Sequence, residues 1–122
     1  MPLIPDYDIE FLTEKAYEYS LVQCGAEIHL VIHRFPFERY IPKEADLLIR
    51  LLPGYPQTAV DMFYTIPDVK LPSGAFPQNC DQHPRFGDKT WQQWSRHFKW
   101  RAGIDSLRAY LAAVSAEVAK GI

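Results

Sequence analysis

Ser95 and His97 stand two positions apart in the run Trp91-Gln92-Gln93-Trp94-Ser95-Arg96-His97, and with Trp100 all three tryptophans of the chain fall within ten positions around them. A serine hydroxyl is a poor nucleophile until a base takes its proton, and an imidazole is the usual base. Residues i and i+2 face each other poorly along a helix or strand but converge in a turn, so this pair asks for a turn. Arg96 between them would stabilise an oxyanion. On a structural reading Ser95 caps the turn toward Trp100, His97 is a hydrogen-bonded scaffold residue and the indoles fill the core.

A second nucleophile lies upstream. Cys80, in Gln78-Asn79-Cys80-Asp81-Gln82-His83, is the only thiol near this region, and a thiol carries acyl groups readily because it is partly ionised near neutral pH. His83 would lower its pKa and Asp81 would raise it; the bland alternative is a solvent-loop cysteine without a role. Cys80-x-x-His83 with the distant His97 also offers three zinc ligands, although the second half of a zinc motif is missing. His29 and His33 have no acidic partner at fixed spacing and read as surface residues on one strand. Phe35, Phe37 and Tyr40 form an aromatic cluster that either binds a protein or folds back onto the core.

The chain around these residues has 122 positions, enough for one domain, 1–122, with a continuous core and too few for two. Its 48% hydrophobic and 23% charged residues are ordinary for a globular protein, whereas ten prolines favour turns and short strands over a helical bundle. Net charge is -2 and no basic run exceeds two residues, so no nucleic-acid partner is expected. No apolar run approaches the roughly 20 residues that cross a bilayer, and Met1-Pro2-Leu3-Ile4-Pro5-Asp6 has no signal-peptide pattern, so no membrane partner and a cytoplasmic location are expected. In that setting Cys24 and Cys80 read as free thiols rather than a disulfide.

Periodicity supplies the elements. Ile9, Leu12, Ala16 and Tyr19 recur at helical spacing and predict an amphipathic helix from Asp8 to about Tyr19. Leu21-Val22-Gln23, a turn at Cys24-Gly25, and Glu27 to His33 with Ile28, Leu30 and Ile32 on one face predict a hairpin. Ala45–Leu52 predicts a third strand ending at Pro53-Gly54-Tyr55-Pro56, and Met62–Ile66 a fourth. Short connections make these an antiparallel meander with one face to cover. From Val69 to Lys89 five Pro and Gly residues without periodicity predict a long ordered loop anchored by Phe76, Phe86 and Trp91. Ile104, Leu107, Leu111, Val114 and Val118 form one stripe of a last helix, with Asp105 in its first turn and Lys120-Gly121 as its stop. On this reading Trp100 and Leu107 lie in the core where loop and helix meet.

Helix, four-strand meander, Tyr-Pro corner, irregular loop, Trp and helix is an order that resembles the ubiquitin-conjugating (UBC) fold, an α+β class. Pro53-Gly54-Tyr55-Pro56 is similar to a shortened form of that family's corner, and Trp100-Arg101-Ala102-Gly103-Ile104-Asp105-Ser106-Leu107 to its Trp-Ser-Pro segment and following helix. The corner, the Asp61-Met62-Phe63-Tyr64 strand and the Trp-x-x-Trp-Ser-Arg-His motif more closely resemble a prokaryotic branch, UBC family protein E, over about Asp8 to Val118. The resemblance implies a ubiquitin-like protein, a ThiF-type activating enzyme and a target protein as partners, and no cofactor. The implied reaction takes an activated C-terminal glycine onto the conjugating protein as an ester or thioester and passes it to an amine. One departure stands out: the familiar His-Pro-Asn tripeptide survives only as His83-Pro84 before Arg85, and Trp91 and Gln92 occupy the catalytic cysteine's expected distance from Trp100. That leaves Ser95 with His97 or Cys80 as the carrier, with Arg96 stabilising the oxyanion or holding the carried protein's tail. The alternative is a catalytically inactive adaptor for the same partners.

Overall fold

The computed structural model describes residues 3–122. Strand β1 (Tyr19–Cys24) turns through Gly25 into β2 (Glu27–Pro36), and the Cys24↔Glu27 pairing leaves a two-residue hairpin loop in which Gly25 takes φ 62°, a conformation that favours glycine. β3 (Glu44–Leu51) and β4 (Phe63–Ile66) continue the meander antiparallel. Two short strands, β5 (Arg85–Phe86) and β6 (Lys89–Thr90), form a separate hairpin. β7 (Gln92–Trp94) then returns to pair antiparallel with β4, opposing Trp94 to Phe63. The main sheet therefore has five strands in the order β1-β2-β3-β4-β7, one more than the meander read from sequence. Three residues are too short a run to display alternation, so β7 was not legible as a strand.

Leu30, Ile32, Leu47, Ile49, Leu51, Phe63 and Trp94 form the buried inner face, and two helices cover it. Helix α1 (Asp6–Glu14) sets Phe11 and Leu12 into this core, and α2 (Leu107–Val118) contributes Leu107, Tyr110, Leu111, Val114 and Val118. Phe35, Phe37 and Tyr40 are buried here as well, with edge-to-face contacts from Phe37 to Phe35 and Tyr40, so the aromatic cluster is core and no exposed patch.

The helix boundaries depart from the sequence reading. α1 ends at Glu14 because Ala16 takes φ 57°, and Tyr19, expected on the helix, belongs to β1. The inward stripe is Asp8, Phe11 and Leu12, and Ala16 is exposed. At the other end, Ile104 is 70% exposed and lies ahead of the helix, and Asp105 closes the preceding turn by accepting the Arg101 N–H at 2.8 Å. Tertiary contact starts α2 three residues later than its apolar stripe: the Asp8 carboxylate accepts the Leu107 backbone N–H at 3.1 Å, while Ser106 makes no side-chain cap. An acceptor aimed at a first-turn N–H satisfies a donor that the helix itself leaves open.

Part of the outer face is covered too. Phe86 of the β5–β6 hairpin lies edge-on to Tyr64 at 5.0 Å and Trp91 packs with Leu48 and Tyr64, forming a second small cluster. Among the described residues no helix is long and apolar enough to cross a membrane.

Two stability outcomes follow from this packing. Leu107 is fully buried at the junction of both helices, so Leu107→Ala is expected to cost roughly 2–5 kcal/mol in denaturant unfolding; a loss of a few tenths would place it at the surface. Asp8 also accepts the Tyr55 hydroxyl at 2.6 Å, so Asp8→Ala should cost about 1–3 kcal/mol for each buried donor left unpaired, and Asp8→Asn, which keeps an acceptor, should cost less. Burial raises the Asp8 pKa against the lowering effect of its bonds from Tyr55 and Leu107. A raised folded value means its pH-linked stabilisation is full below the unfolded carboxylate's value and is lost as pH rises through the folded one. The stability gap between the parent and Asp8→Asn should therefore widen on acidification, which unfolding midpoints at two pH values measure.

Candidate functional site

The site forms where β7 leaves the sheet. Gln92 is buried, and its side-chain amide is satisfied on both ends: Oε1 accepts from Thr65 Oγ1 (2.8 Å) and the Val69 N–H (2.7 Å), and Nε2 donates to the carbonyls of Val69 (2.9 Å) and Cys80 (3.3 Å). This clamps both ends of the 69–80 segment to the sheet. Residues 79–84 then run beside 91–95, with Trp91 N–H on the Pro84 carbonyl, Gln93 N–H on Gln82 and Ser95 N–H on Asn79 at 2.9, 2.8 and 3.0 Å. Gln92, one of the two residues at the distance before Trp100 where a cysteine was expected, is thus a structural amide.

The three indoles have three different jobs. Trp91 belongs to the outer-face cluster. Trp94 is fully buried, stacked on Phe63 at 5.1 Å with its N–H donated to Thr65 Oγ1 at 3.0 Å. Trp100, expected in the core, is half-buried at its margin, where its N–H donates to the Pro56 carbonyl at 2.9 Å beside Tyr55. Between the last two, Phe98 stacks on Phe63 and meets Tyr110 edge-on. Alternating anchors at 94, 98 and 100 leave 95 and 97 free to line the surface.

There Gln78, Asn79, Ser95, His97, Phe98 and Glu117 border an open cleft of about 320 Å³, with Arg96 in its floor. Ser95 is half-buried and its Oγ accepts from Gln93 Nε2 at 2.9 Å. That bond leaves the hydroxyl's own proton free for a base. His97 is exposed, and its Nδ1 pairs with Asp61 Oδ1 at 2.7 Å. The carboxylate holds Nδ1 protonated, which turns the basic lone pair of the neutral ring onto Nε2. No hydrogen bond joins Ser95 to His97 among the described residues, although both line one cleft. Asp61 was not identified as a site residue from sequence; it lies 36 positions away and no spacing rule connects it to His97.

Arg96 is buried. Its guanidinium lies 4.9 Å over the Trp94 ring and donates to the Gln78 carbonyl at 2.9 Å, the Ile122 carbonyl, and Glu117 Oε1 at 3.4 Å. Here it ties the 78–79 segment, α2 and residue 122 together beneath the cleft. Cys80 is also fully buried, with its Sγ on the Gln78 carbonyl at 3.2 Å, and burial pushes its thiol up to about 12 against the lowering effect of Arg96. The solvent-loop placement for this cysteine is therefore corrected: Gln92 draws its backbone into the core. His83 pairs with Asp68 at 3.0 Å. Cys80, His83 and His97 each have separate partners, and no group of three metal-ligating side chains gathers among the described residues.

His29 and His33 do have acidic partners, Glu27 at 3.0 Å and Asp46 at 3.2 Å, which correct their reading as unpartnered surface residues. Asp46 comes from the neighbouring strand, a relation that only the register creates.

The sequence model of prokaryotic E2 family E matches residues 4–121, nearly the whole chain. No curated protein and no solved structure matches.

Thiol reactivity tests the two cysteines. Both are free, Cys24 exposed and Cys80 buried, so an aromatic disulfide reagent should titrate one thiol per chain in the native protein and two in denaturant. Raising the pH to about 9, near the free thiol range, should not expose the second, because the folded Cys80 titrates well above it. Two equivalents from the native protein would refute this placement.

Proposed function

Because the chain belongs to prokaryotic E2 family E, we propose that it is the conjugating component of a ubiquitin-like modification system and carries the activated C-terminus on Ser95 as an oxyester. The supporting observation is the cleft that holds Ser95 beside a His97 whose Nδ1 is fixed by Asp61 at 2.7 Å, while the thiol at Cys80 is buried and protonated. A ThiF-type activating enzyme presents the acyl group. Ser95 Oγ attacks its carbonyl, His97 Nε2 takes the hydroxyl proton, and the activating enzyme's leaving group departs. The target's amine then attacks the oxyester, and the Ser95 oxygen leaves with a proton returned by His97. Gln93 Nε2 holds the serine oxygen in place, and Arg96 positions the backbone of the cleft from below.

A second reading, an adaptor that binds the same partners without carrying the acyl group, draws on the Gln93 bond to Ser95 and the lack of one from His97. One experiment separates them. The protein is incubated with its activating enzyme, ATP and the ubiquitin-like protein, and adducts are resolved on gels. Oxyester carriage gives an adduct that resists thiol reductant and is cleaved by hydroxide; Ser95→Ala abolishes it and Cys80→Ala leaves it intact in folded protein. His97→Ala slows it by roughly 10²–10⁴-fold, and Asp61→Asn slows it less. A reductant-labile adduct that vanishes with Cys80 overturns the serine reading, and no adduct from the parent protein favours the adaptor.

A further inference from the structure

A serine, a histidine and an aspartate also line up on the outer face of the sheet, away from the cleft. Ser20 of β1 makes a 2.9 Å hydrogen bond with His33 Nε2 on β2, and His33 Nδ1 makes one of 3.2 Å with Asp46 Oδ2 on β3. The connection order is nucleophile, base, orienting carboxylate, and both ring nitrogens are committed. A carboxylate accepts only, so Nδ1 donates to Asp46; in the neutral ring Nε2 then carries the lone pair, which accepts from the Ser20 hydroxyl. Two further contacts hold the base in place. Asp46 Oδ1 accepts the Arg34 backbone N–H at 3.3 Å, and the His33 backbone N–H donates to the Glu18 carbonyl at 2.8 Å. Arg34 takes φ 56° at a register shift between Ile32 and Phe35, and this irregularity lies where the His33 ring spans its two partners.

The serine is approachable. β1 is an edge strand and Ser20 is half-buried, while His33 and Asp46 side chains keep about a third of their surface, 33% and 35%. Val22, two positions along the same face of β1, is 50% exposed, and Val31 stands opposite Ser20, giving a short apolar strip beside the hydroxyl. Ser95 follows β7, the other edge of the sheet, so the two serines are separated by the three inner strands.

We propose that Ser20, His33 and Asp46 form a second acyl-transfer centre that hydrolyses short-chain activated esters. Ser20 Oγ bonds to the ester carbonyl carbon as its proton moves to His33 Nε2; the carbon–oxygen bond to the alcohol breaks, and the alcohol leaves with that proton. Water then gives a proton to Nε2, bonds to the acyl carbon and releases the carboxylic acid, and Ser20 recovers the proton. Asp46 stays ionised and holds the imidazolium throughout. The acceleration expected is that of positioned general-base catalysis, roughly 10²–10⁴-fold.

The test uses the whole chain with 4-nitrophenyl acetate as substrate and a fluorophosphonate as covalent probe, followed by peptide mass spectrometry. The probe should map to Ser20. In a Ser95→Ala background, which takes the cleft serine out of both readouts, Ser20→Ala, a small change on an edge strand, should remove the label and the ester hydrolysis above background, and His33→Gln should slow labelling by about 10²-fold or more. A label at Ser20 in that background does not depend on Ser95, so failure here is distinguishable from failure of the Ser95 reading. A Ser95→Ala protein whose Ser20 takes no label, or hydrolysis that survives when Ser20→Ala is added to it, overturns the proposal.

Discussion

One buried side-chain amide governs how the middle of this chain is arranged. Gln92 meets Thr65, Val69 and Cys80 through four hydrogen bonds, and each buried polar group left without its partner would cost about 1–3 kcal/mol. A proline-rich stretch with little regular structure of its own cannot be placed by strand pairing alone. Gln92 supplies the missing backbone partners and draws residues 69–80 against the edge of the sheet. The consequences are chemical: Cys80 is carried inward and kept protonated, Asn79 is brought beside Ser95, and the cleft acquires its wall.

The other end of the molecule rests on a buried carboxylate. Asp8 on α1 receives the hydroxyl of Tyr55 and the first N–H of α2, joining the first helix, the Tyr-Pro corner and the last helix in one polar knot. Trp100 adds the Pro56 carbonyl and leans on the Tyr55 ring. Every described buried side-chain nitrogen and oxygen has a hydrogen-bond partner, which is what keeps such polar groups tolerable inside a core. α2 is thereby fixed at both ends, by Asp8 at its start and by Arg96 through Glu117 near its close.

These two anchors set the character of the cleft. Trp94, Phe98 and Trp100 fasten the chain from within, so the intervening Ser95 and His97 reach the surface on a segment without regular structure but with little freedom. Loops carried on a rigid scaffold are where binding and chemistry concentrate. Asp61 enters from the segment before β4 and gives His97 a defined direction. A carboxylate from a neighbouring segment that orients an imidazole recurs at Asp46 of β3 and His33 of β2.

Much of this was legible in the sequence because it is periodic. Alternation in Glu27–His33 and Ala45–Leu52 and the stripe from Leu107 to Val118 report burial directly, since side chains repeat every two residues on a strand and about 3.6 on a helix. The order of elements and the Tyr-Pro corner were enough to suggest the family, and the run Trp91 to His97 marked the cleft. What tertiary structure alone decided depends on partners far apart in the chain. Gln92 and Val69, Asp8 and Leu107, Asp61 and His97 lie 23, 99 and 36 positions apart, and no local pattern encodes such pairs. The start of α2 moved for the same reason, because a carboxylate from the first helix, and no residue near Ile104, satisfies its first open N–H. Cys80 reads as a solvent-loop thiol from its neighbours and becomes a core thiol only when a distant amide claims its carbonyl.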